Sequence, residues 1–309
     1  MSVEKAAWLR DIVGRRIDGV EGRRREIRAR YECFTGRPWP EGGGETLTDV
    51  VFGRLDEANA RRDTSLAPYV DKYRVREYVA ETVGRHALVP LLWSGINPLA
   101  IPVGRVEGIL KTNHMSQAVL RLRRDSDPWM VRRRAARWMA ENYYWVTGEY
   151  QYRAIRPRLL VEHELDDGTE YGPRDYSLWC VHGEPLFCQV RDTSRELRQA
   201  YSLAWEPLPG VLLPGARTIE VPRPEGLAEM TAMARALAAP FSFVRADFYD
   251  VGGRVYFGEL TFSPAAGRLR LRNPDLDRYL GHLVRAGAAA LPGAHARIAR
   301  YSRAAAVAP

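Results

Sequence analysis

The sequence predicts an α+β protein whose sheets are largely antiparallel. Strand-like runs of alternating residues are interspersed with amphipathic helical runs, and no internal repeat is visible. Two strand pairs read as hairpins: DYSLWCVHGEPLFCQVRD turns at His182-Gly183, and RADFYDVGGRVYFGELTF turns at Gly252-Gly253. Because strands joined by tight turns run antiparallel, we do not expect a doubly wound parallel sheet.

The composition is that of a globular protein with room for two lobes. The chain has 309 residues, of which 46% are hydrophobic, enough for a substantial core. No stretch approaches the roughly 20 apolar residues of a membrane span, and MSVEKAAWLRDIVGRR lacks a signal-peptide core. We therefore expect a cytoplasmic protein. Cys33, Cys180 and Cys188 are odd in number and lack ligand spacing, so we expect reduced thiols.

The first part of the chain is predicted to be helical. Apolar residues recur at helical spacing in residues 1–35, and PWPEGGGE, residues 38–45, is a loop signal. A second helix is predicted directly after this loop, and a third from near Asp71 to Gly84. Residues 1–90 are thus expected to form a helical N-terminal region.

Strands and one helix are predicted in the middle of the chain. HALVPLLW, VEGILKTNH, VLRLRR and RPRLLVEHEL have strand character. Asp127-Pro128 is a helix start, and that helix should run to about Tyr144 with Trp129, Met130, Trp138 and Met139 in the core. Residues 91–161 are expected to form a small lobe.

The remaining residues, 162–309, are expected to form a larger lobe. The two hairpins belong to it, with a Pro- and Gly-rich loop at 207–226 and the helix LAEMTAMARALA between them. A last helix is predicted near 275–290, followed by an Ala-rich tail without regular structure.

The Gly252-Gly253 hairpin carries two carboxylates whose relative orientation depends on the turn. A two-residue turn would put Asp247 and Glu259 on opposite faces, whereas the three-residue turn Val251-Gly252-Gly253 puts all odd residues on one face. The three-residue turn is predicted because it leaves the other face nearly all apolar. Two carboxylates beside Arg245 suit Mg²⁺ bridging to phosphate, although an ordinary exposed sheet face explains the same residues.

The basic residues are also informative. The net charge is +8, but the charges are spread along the chain, so anionic small substrates explain it as well as nucleic acid does. Among the 46 basic residues only Lys5, Lys72 and Lys111 are lysine. Lysine is a compact charge that fits beside a phosphate in a confined site, which makes Lys72 and Lys111 candidate phosphate ligands unless their retention is chance.

Common catalytic and nucleotide motifs are missing from the sequence. It contains no GxxxxGK[ST], GxGxxG, HExxH, GxSxG or CxxC pattern. A P-loop, a Rossmann nucleotide site, zinc catalysis and a nucleophilic serine therefore have no support.

An ordered set of motifs remains, and it resembles a known superfamily. DKYRVREYV, ILKTNH, LLVEHEL, RADFYD and FGELTF occur in the order found in ATP-grasp proteins, and the resemblance is to the TupA-like branch, from about Thr46 to Gly267. The resemblance implies an ATP-grasp fold, in which two α+β lobes with largely antiparallel sheets clamp Mg-ATP. It also implies ATP and Mg²⁺ as cofactors and, for most members, ligation of a carboxylate to an amine.

The resemblance assigns roles to individual residues. Lys72 and Lys111 would hold the ATP phosphates, and Glu162 would meet the adenine amino group. Asp247 and Glu259 would hold Mg²⁺. The remaining expected roles are backbone contacts to the nucleotide from His163 and Leu165, ribose contact from Asp167 or, as an alternative, Asp166, and stabilisation of the transferring phosphoryl group by Arg245 together with Lys111.

Three positions depart from the family pattern. Thr261 stands where many members have asparagine, the phosphate loop reads NHMSQA without glycine, and Asp175-Tyr176-Ser177 lacks the lysine of the usual DYK. We expect Arg191 or Arg195 to supply the missing cation. Arg191, Arg195, Arg268 and Arg270 are also candidates for binding an anionic substrate, although solvated surface arginines are equally consistent with the sequence. Asn113 and His114 either line the phosphate loop or have no role.

The sequence therefore favours an ATP-dependent carboxylate-amine ligase acting through an acyl phosphate. The expected substrates are a small carboxylate, for example an amino acid such as glutamate, and an amine, with a polymer acceptor as one option, in cell-surface polymer or natural-product biosynthesis. An ATP-grasp kinase and a non-catalytic ATP-binding protein remain as alternatives. Nucleic acid is not an expected partner, and the oligomeric state is left open.

Overall fold

The computed structural model describes residues 19–169, 172–192, 197–213, 219–269 and 271–307. The chain divides into two compact units, each built around its own antiparallel sheet. The first unit contains the described residues up to Gly42, Val51–Val75 and Pro90–Glu164. The second contains Gly43–Val50, Arg76–Val89 and the described residues from Leu165 onward. The predicted α+β class is confirmed.

The sheet of the first unit has the strand order β1-β4-β2-β3. The strands are β1 (Leu91–Gly95), β2 (Gly108–Thr112), β3 (Val119–Leu122) and β4 (Leu159–Glu162). All pairs are antiparallel, and β2 and β4 are paired so that Ile109 lies opposite Glu162. Alternate residues of β2 are buried, and Leu110 among them belongs to an apolar cluster with the long helix that follows β3. Lys111 therefore lies on the opposite side of the sheet.

The helices before β4 differ from the predictions in two details: the helix that begins at Pro128 ends at Ala140 instead of about Tyr144, and two of its predicted core residues are exposed. Their bounds are α1 (Gly19–Thr35), α2 (Leu47–Arg61), α3 (Ala67–Val70), α4 (Val75–Thr82), α5 (Pro128–Ala140) and α6 (Tyr144–Thr147). Asp127 caps α5 as predicted, by accepting from the amides of Trp129 and Met130. These two residues are nevertheless 65% and 62% exposed, so their prediction as core was wrong. They lie in the first turn of α5, while Val131, Ala135 and Trp138 form its buried stripe.

The sheet of the second unit has the strand order β7-β6-β5-β8-β9. The strands are β5 (Asp175–Val181), β6 (Glu184–Arg191), β7 (Arg198–Tyr201), β8 (Phe243–Val251) and β9 (Arg254–Thr261). The turn predicted at His182-Gly183 is confirmed, since Val181 pairs with Glu184 and both turn residues have positive φ. Tight turns join β5 to β6 and β8 to β9, and β5 lies beside β8.

The second unit also contains helices after its first strands. They are α7 (Leu227–Ala238), α8 (Pro274–Ala286) and α9 (Ala294–Val307). The Ala-rich tail was predicted to lack structure, and this was wrong, because most of it forms α9. Ala294, Ile298 and Ser302 are spaced by four residues and are all buried, so one face of α9 is anchored. Among the described residues, no helix is long and apolar enough to span a membrane.

Candidate active site

The β8–β9 hairpin brings the two predicted metal ligands together by a different route from the one expected. Val251 pairs with Arg254, so the turn is the two-residue Gly252-Gly253, with φ values of 59° and 79°. The predicted three-residue turn was therefore wrong. Asp247 still pairs with Glu259, because a β-bulge shifts the register between Asp247 and Phe248.

The bulge separates the hairpin into two registers. Asp247 lies opposite Glu259 whereas Phe248 lies opposite Phe257, which leaves Gly258 as the extra residue on β9. Phe257, predicted on the carboxylate face, is instead 5% exposed and pairs with Phe248 on the apolar side. A Cβ on Gly258 would lie 3.0 Å from the carbonyl oxygen of Asp247, so the close approach of the strands favours glycine here.

The centre of this face is a buried ion pair. Arg245 donates from Nε to Oδ1 of Asp247 at 2.7 Å and from Nη2 to Oδ2 at 2.5 Å, and the two side chains are only 7% and 4% exposed. Nη2 also lies 3.6 Å from Oε1 of Glu259, whose side chain is 41% exposed. Thr261 links the two sides by accepting from Arg245 and donating to Glu259. The face thus presents an outward carboxylate beside a rigidly held one.

Asp175 and Tyr249 extend this cluster, and neither was predicted as a site residue, whereas Arg191 was. Asp175 on β5 lies 3.8 Å from Arg191 on β6, which in turn donates to Oδ2 of Asp247 at 3.4 Å. Burial raises the pKa of Asp175 to about 6, while the positive charge of Arg191 opposes the shift. The negative charge of Asp175 raises the pKa of Tyr249 well above its usual range. Alternation along DYSLW, aligned with β8, would have placed Asp175 on this face.

The donor set of this face fits a hard divalent cation. Asp247 and Glu259 offer carboxylate oxygens, and the Ser177 hydroxyl, buried on the strand position opposite Asp247, lacks a hydrogen-bond partner. Within the described residues no group of three or more Asp, Glu, His or Cys side chains is arranged to hold a metal ion. Mg²⁺ is commonly held by one or two carboxylates, with phosphate oxygens and water as the other ligands, so two carboxylates suffice.

The first unit contains the predicted lysines. Lys111 on β2 and Glu162 on β4 form an ion pair of 2.5 Å, with the lysine side chain 19% and the glutamate side chain 8% exposed. The register that places Ile109 opposite Glu162 puts Lys111 on the same side of the sheet, two residues along. The structure therefore joins two residues that the sequence had assigned to opposite ends of the nucleotide.

Lys72 and the NHMSQA segment are held together by hydrogen bonds. The Lys72 amide donates to the Asn113 carbonyl at 3.0 Å, and its Nζ donates to the Met115 carbonyl at 3.2 Å. Asn113 and His114 are each 1% exposed, and the His114 ring contacts the Glu141 carbonyl through Nε2. Burial is the main cause that lowers the pKa of His114. Both residues are thus buried and anchor the segment in place.

The other predicted site residues either make backbone hydrogen bonds nearby or lie outside the described residues. The His163 amide donates to the Pro90 carbonyl at 2.9 Å, and Asp166 and Asp167 accept from the amides of Gly168 and Thr169. Arg268 is exposed and donates to the Ala265 carbonyl. Leu165 is partly buried, and Arg195 and Arg270 lie outside the described residues.

Several solved structures of ATP-grasp ligases are similar to this chain at low identity. The structure of the ATP-grasp ligase PsnB with a minimal precursor is similar at a TM-score of 0.39 and 14% identity, covering 77% of this chain and 67% of that one. D-alanine-D-alanine ligase from Helicobacter pylori gives a TM-score of 0.39 at 13% identity, with 84% and 70% covered. For PsnB with minimal precursor, Mg and ADP the TM-score is 0.35 at 13% identity, and the match covers 70% of this chain but only 58% of that one.

No curated protein matches the chain. A model of the TupA-like ATP-grasp family, in contrast, matches residues 54–285, most of the sequence. The matched range contains Lys72, Lys111 and Glu162 of the first unit and the whole β8–β9 hairpin of the second. The chain therefore belongs to the TupA-like ATP-grasp family.

Proposed function

We propose that this protein is an ATP-dependent carboxylate-amine ligase. In this reaction a carboxylate is phosphorylated by ATP to an acyl phosphate, and an amine then displaces phosphate to give an amide. The observation that carries the proposal is the Arg245–Asp247–Glu259 face, which lies inside the range matched by the family model. Arg245 and Asp247 are buried charges beside the partly exposed Glu259, and such clusters of charge are concentrated at functional sites.

The chemistry proposed for this face is electrostatic. Asp247 and Glu259 would hold Mg²⁺, which supplies neutralisation of the phosphate charge. Arg245, fixed by both oxygens of Asp247, is proposed to stabilise the negative charge that develops on the transferring phosphoryl group, and Lys111 is proposed to act on the same charge. Arg191 supports Asp247 from β6 and supplies the cation that the DYS motif lacks.

The nucleotide roles are proposed for the residues named by the resemblance. Lys72 and Lys111 would bind the phosphates, Glu162 the adenine amino group, His163 and Leu165 the ring edge through their backbones, and Asp167 the ribose. Because Lys111 is paired with Glu162, both side chains must exchange this contact for nucleotide contacts when ATP binds. The pair neutralises two charges that would otherwise be partly buried alone.

The substrates are proposed from the family and from charge. We propose that one substrate is an amino acid such as glutamate, with a small amine or a polymer as acceptor, in cell-surface polymer or natural-product biosynthesis in the cytoplasm. Arg191 and Arg268, with Arg195, are proposed to attract the anionic group. The strong basic charge of the chain favours an anionic substrate.

The test is ADP release with Mg-ATP, pooled amino acids and sugar acids, and hydroxylamine as a trap. A ligase gives ADP and a hydroxamate whose mass identifies the acid, and both products are lost in Asp247→Asn but not in Glu220→Gln, which changes an exposed glutamate of the same unit. ADP with a stable phosphoester would instead identify a kinase. If the protein bound Mg-ATP but released no ADP with any of the substrate pools, the proposed enzymatic activity would be contradicted.

A further inference from the structure

A pocket of about 530 Å³ opens in the first unit, next to the segment that carries Lys72, and its lining does not include Lys72, Lys111 or Glu162. This volume lies in the range of small-molecule sites. The pocket is formed where the α3 region and the segment before β4 meet the end of β2. Its lining includes Ala67, Asp71, Arg74, Ile155, Arg156 and Arg158.

The lining combines an apolar base with three arginines. Ala67 and Ile155 are 7% and 5% exposed, whereas Arg74 and Arg156 are exposed and Arg158 is half-buried. Among the described residues, no acidic side chain forms an ion pair with Arg74, Arg156 or Arg158. The pocket therefore concentrates three guanidinium charges around an apolar surface.

The single carboxylate of this lining does not neutralise the arginines. Asp71 is 4% exposed, and its Oδ1 accepts from the amides of Tyr73 at 2.8 Å and Arg74 at 3.2 Å. These bonds fix the turn that carries Arg74. The guanidinium of Arg158 lies 4.4 Å from the centre of the Tyr73 ring, a cation–π contact that orders the arginine without neutralising its charge.

Asn113, which follows β2, is hydrogen-bonded to the segment that carries Arg156 and Arg158. Its Nδ2 donates to the Arg156 carbonyl at 3.0 Å, and its Oδ1 accepts from the Arg158 amide at 2.7 Å. Its backbone amide donates to the Arg158 carbonyl, and its carbonyl accepts from the Lys72 amide. The backbone that carries Arg156 and Arg158 is thus fixed before any ligand binds, which lowers the cost of ligand binding.

We propose that this pocket binds a small, multiply charged anion whose carboxylate or phosphate groups pair with Arg74, Arg156 and Arg158. Arginine is suited to both groups because its planar donors engage them in pairs. The apolar base formed by Ala67, Pro68 and Ile155 accommodates the carbon skeleton of such a ligand. The proposal concerns binding alone and does not depend on the ligase activity.

The experiment is calorimetric titration of the full chain, free of nucleotide and metal, with citrate and with tripolyphosphate. About 150 mM salt screens diffuse attraction between distant charges. Arg74→Gln and Arg156→Gln remove exposed charges of the pocket, and Arg105→Gln removes an exposed arginine of the same unit outside it. Lys111→Gln tests whether tripolyphosphate binds instead at the lysines proposed to hold the ATP phosphates, because binding at those lysines would be weakened in this variant.

The proposal expects one bound anion per chain, weakened about tenfold by Arg74→Gln and by Arg156→Gln and unchanged by Arg105→Gln. Binding of citrate alone identifies a carboxylate ligand, and binding of tripolyphosphate alone, retained in Lys111→Gln, identifies a phosphate ligand. The proposal is overturned if neither anion binds, if Arg105→Gln weakens binding as much as the pocket variants do, or if the pocket variants bind as tightly as the unaltered chain.

Discussion

The candidate charges of the two units are held in very different ways. In the second unit, Asp247 contacts both Arg245 and Arg191, and Thr261 joins Arg245 to Glu259. In the first unit, Lys111 forms an ion pair with Glu162. The contacts of Asp247 belong to a connected network across β6, β8 and β9, whereas the contact between Lys111 and Glu162 is a charge pair between the neighbouring strands β2 and β4.

This difference indicates different tasks. A network of buried charge-assisted hydrogen bonds is rigid and is suited to stabilising charge at a fixed position. A lysine ammonium on its flexible side chain can exchange one partner for another when a ligand offers a new one. We therefore expect changes in the second unit to alter both chemistry and stability, and changes at Lys111 to alter mainly nucleotide affinity.

The largest effect is expected from the two carboxylates of the hairpin. Glu259→Gln should lower the rate of ADP release about 100- to 1000-fold, because it removes a proposed metal ligand where charge develops. Its side chain is 41% exposed, so the free energy of unfolding in urea should change little. A rate within a factor of two of the unaltered protein would remove Glu259 from the site.

Asp247 should differ from Glu259 by its effect on stability. Asp247→Ala leaves the Arg245 guanidinium, 7% exposed, without its principal partner, and should lower the free energy of unfolding by about 3–5 kcal/mol. Urea denaturation measures this loss. An unchanged unfolding midpoint would show that the network does not stabilise the second unit.

A smaller effect is expected from the Lys111–Glu162 pair of the first unit. Lys111→Gln should weaken ATP binding about tenfold or more, since a charge-assisted contact to phosphate is lost. Calorimetry measures the affinity. The free energy of unfolding should also fall, but by less than in Asp247→Ala, because glutamine can still donate a hydrogen bond to Glu162, whose side chain is 8% exposed. Arg121→Gln, which removes an exposed arginine paired with Glu164, is the matched control and should leave ATP affinity unchanged.

The bulge offers a subtler way to disturb the network. A Cβ at Gly258 would meet the Asp247 backbone at 3.0 Å, so Gly258→Ala should shift the pairing of Asp247 with Glu259 and lower activity about tenfold. Gly252→Asn is the control, because this turn position has φ of 59° and nothing within 4 Å of an added Cβ, and Asn-Gly suits such a turn. Equal activity losses in both variants would contradict a specific role for the bulge.

The smallest effect concerns pH. The pKa of Asp175 rises from 3.8 to about 6 in the folded chain, so its contribution to stability is fully present below pH 3.8 and is lost as pH rises to about 6. The loss is at most about 3 kcal/mol, and less because 30% of the side chain is exposed. Asp175→Asn should therefore gain stability relative to the unaltered protein between pH 4 and about 7 in urea titrations. A difference that does not vary with pH would contradict the raised pKa.

The sequence was sufficient for the fold class, the two hairpins, the helix beginning at Pro128 and the candidates Lys72, Lys111, Asp247 and Glu259. It could not give the bulge, since a register shift at Gly258 depends on how closely two backbones approach. It also missed Asp175, because the contact between Asp175 and Arg191 depends on which strands are neighbours. The exposure of Trp129 and the helix in the Ala-rich tail depend on which helix face finds a packing partner.

The most direct test of the central claim compares affinity for ATP with and without Mg²⁺ by calorimetry. If Asp247 and Glu259 hold the metal, Mg²⁺ should tighten ATP binding to the unaltered protein, and Glu259→Gln should remove this gain while leaving metal-free ATP binding intact. Lys111→Gln should weaken binding under both conditions. A full Mg²⁺-dependent gain in Glu259→Gln would contradict the assignment of the β8–β9 face as the metal site.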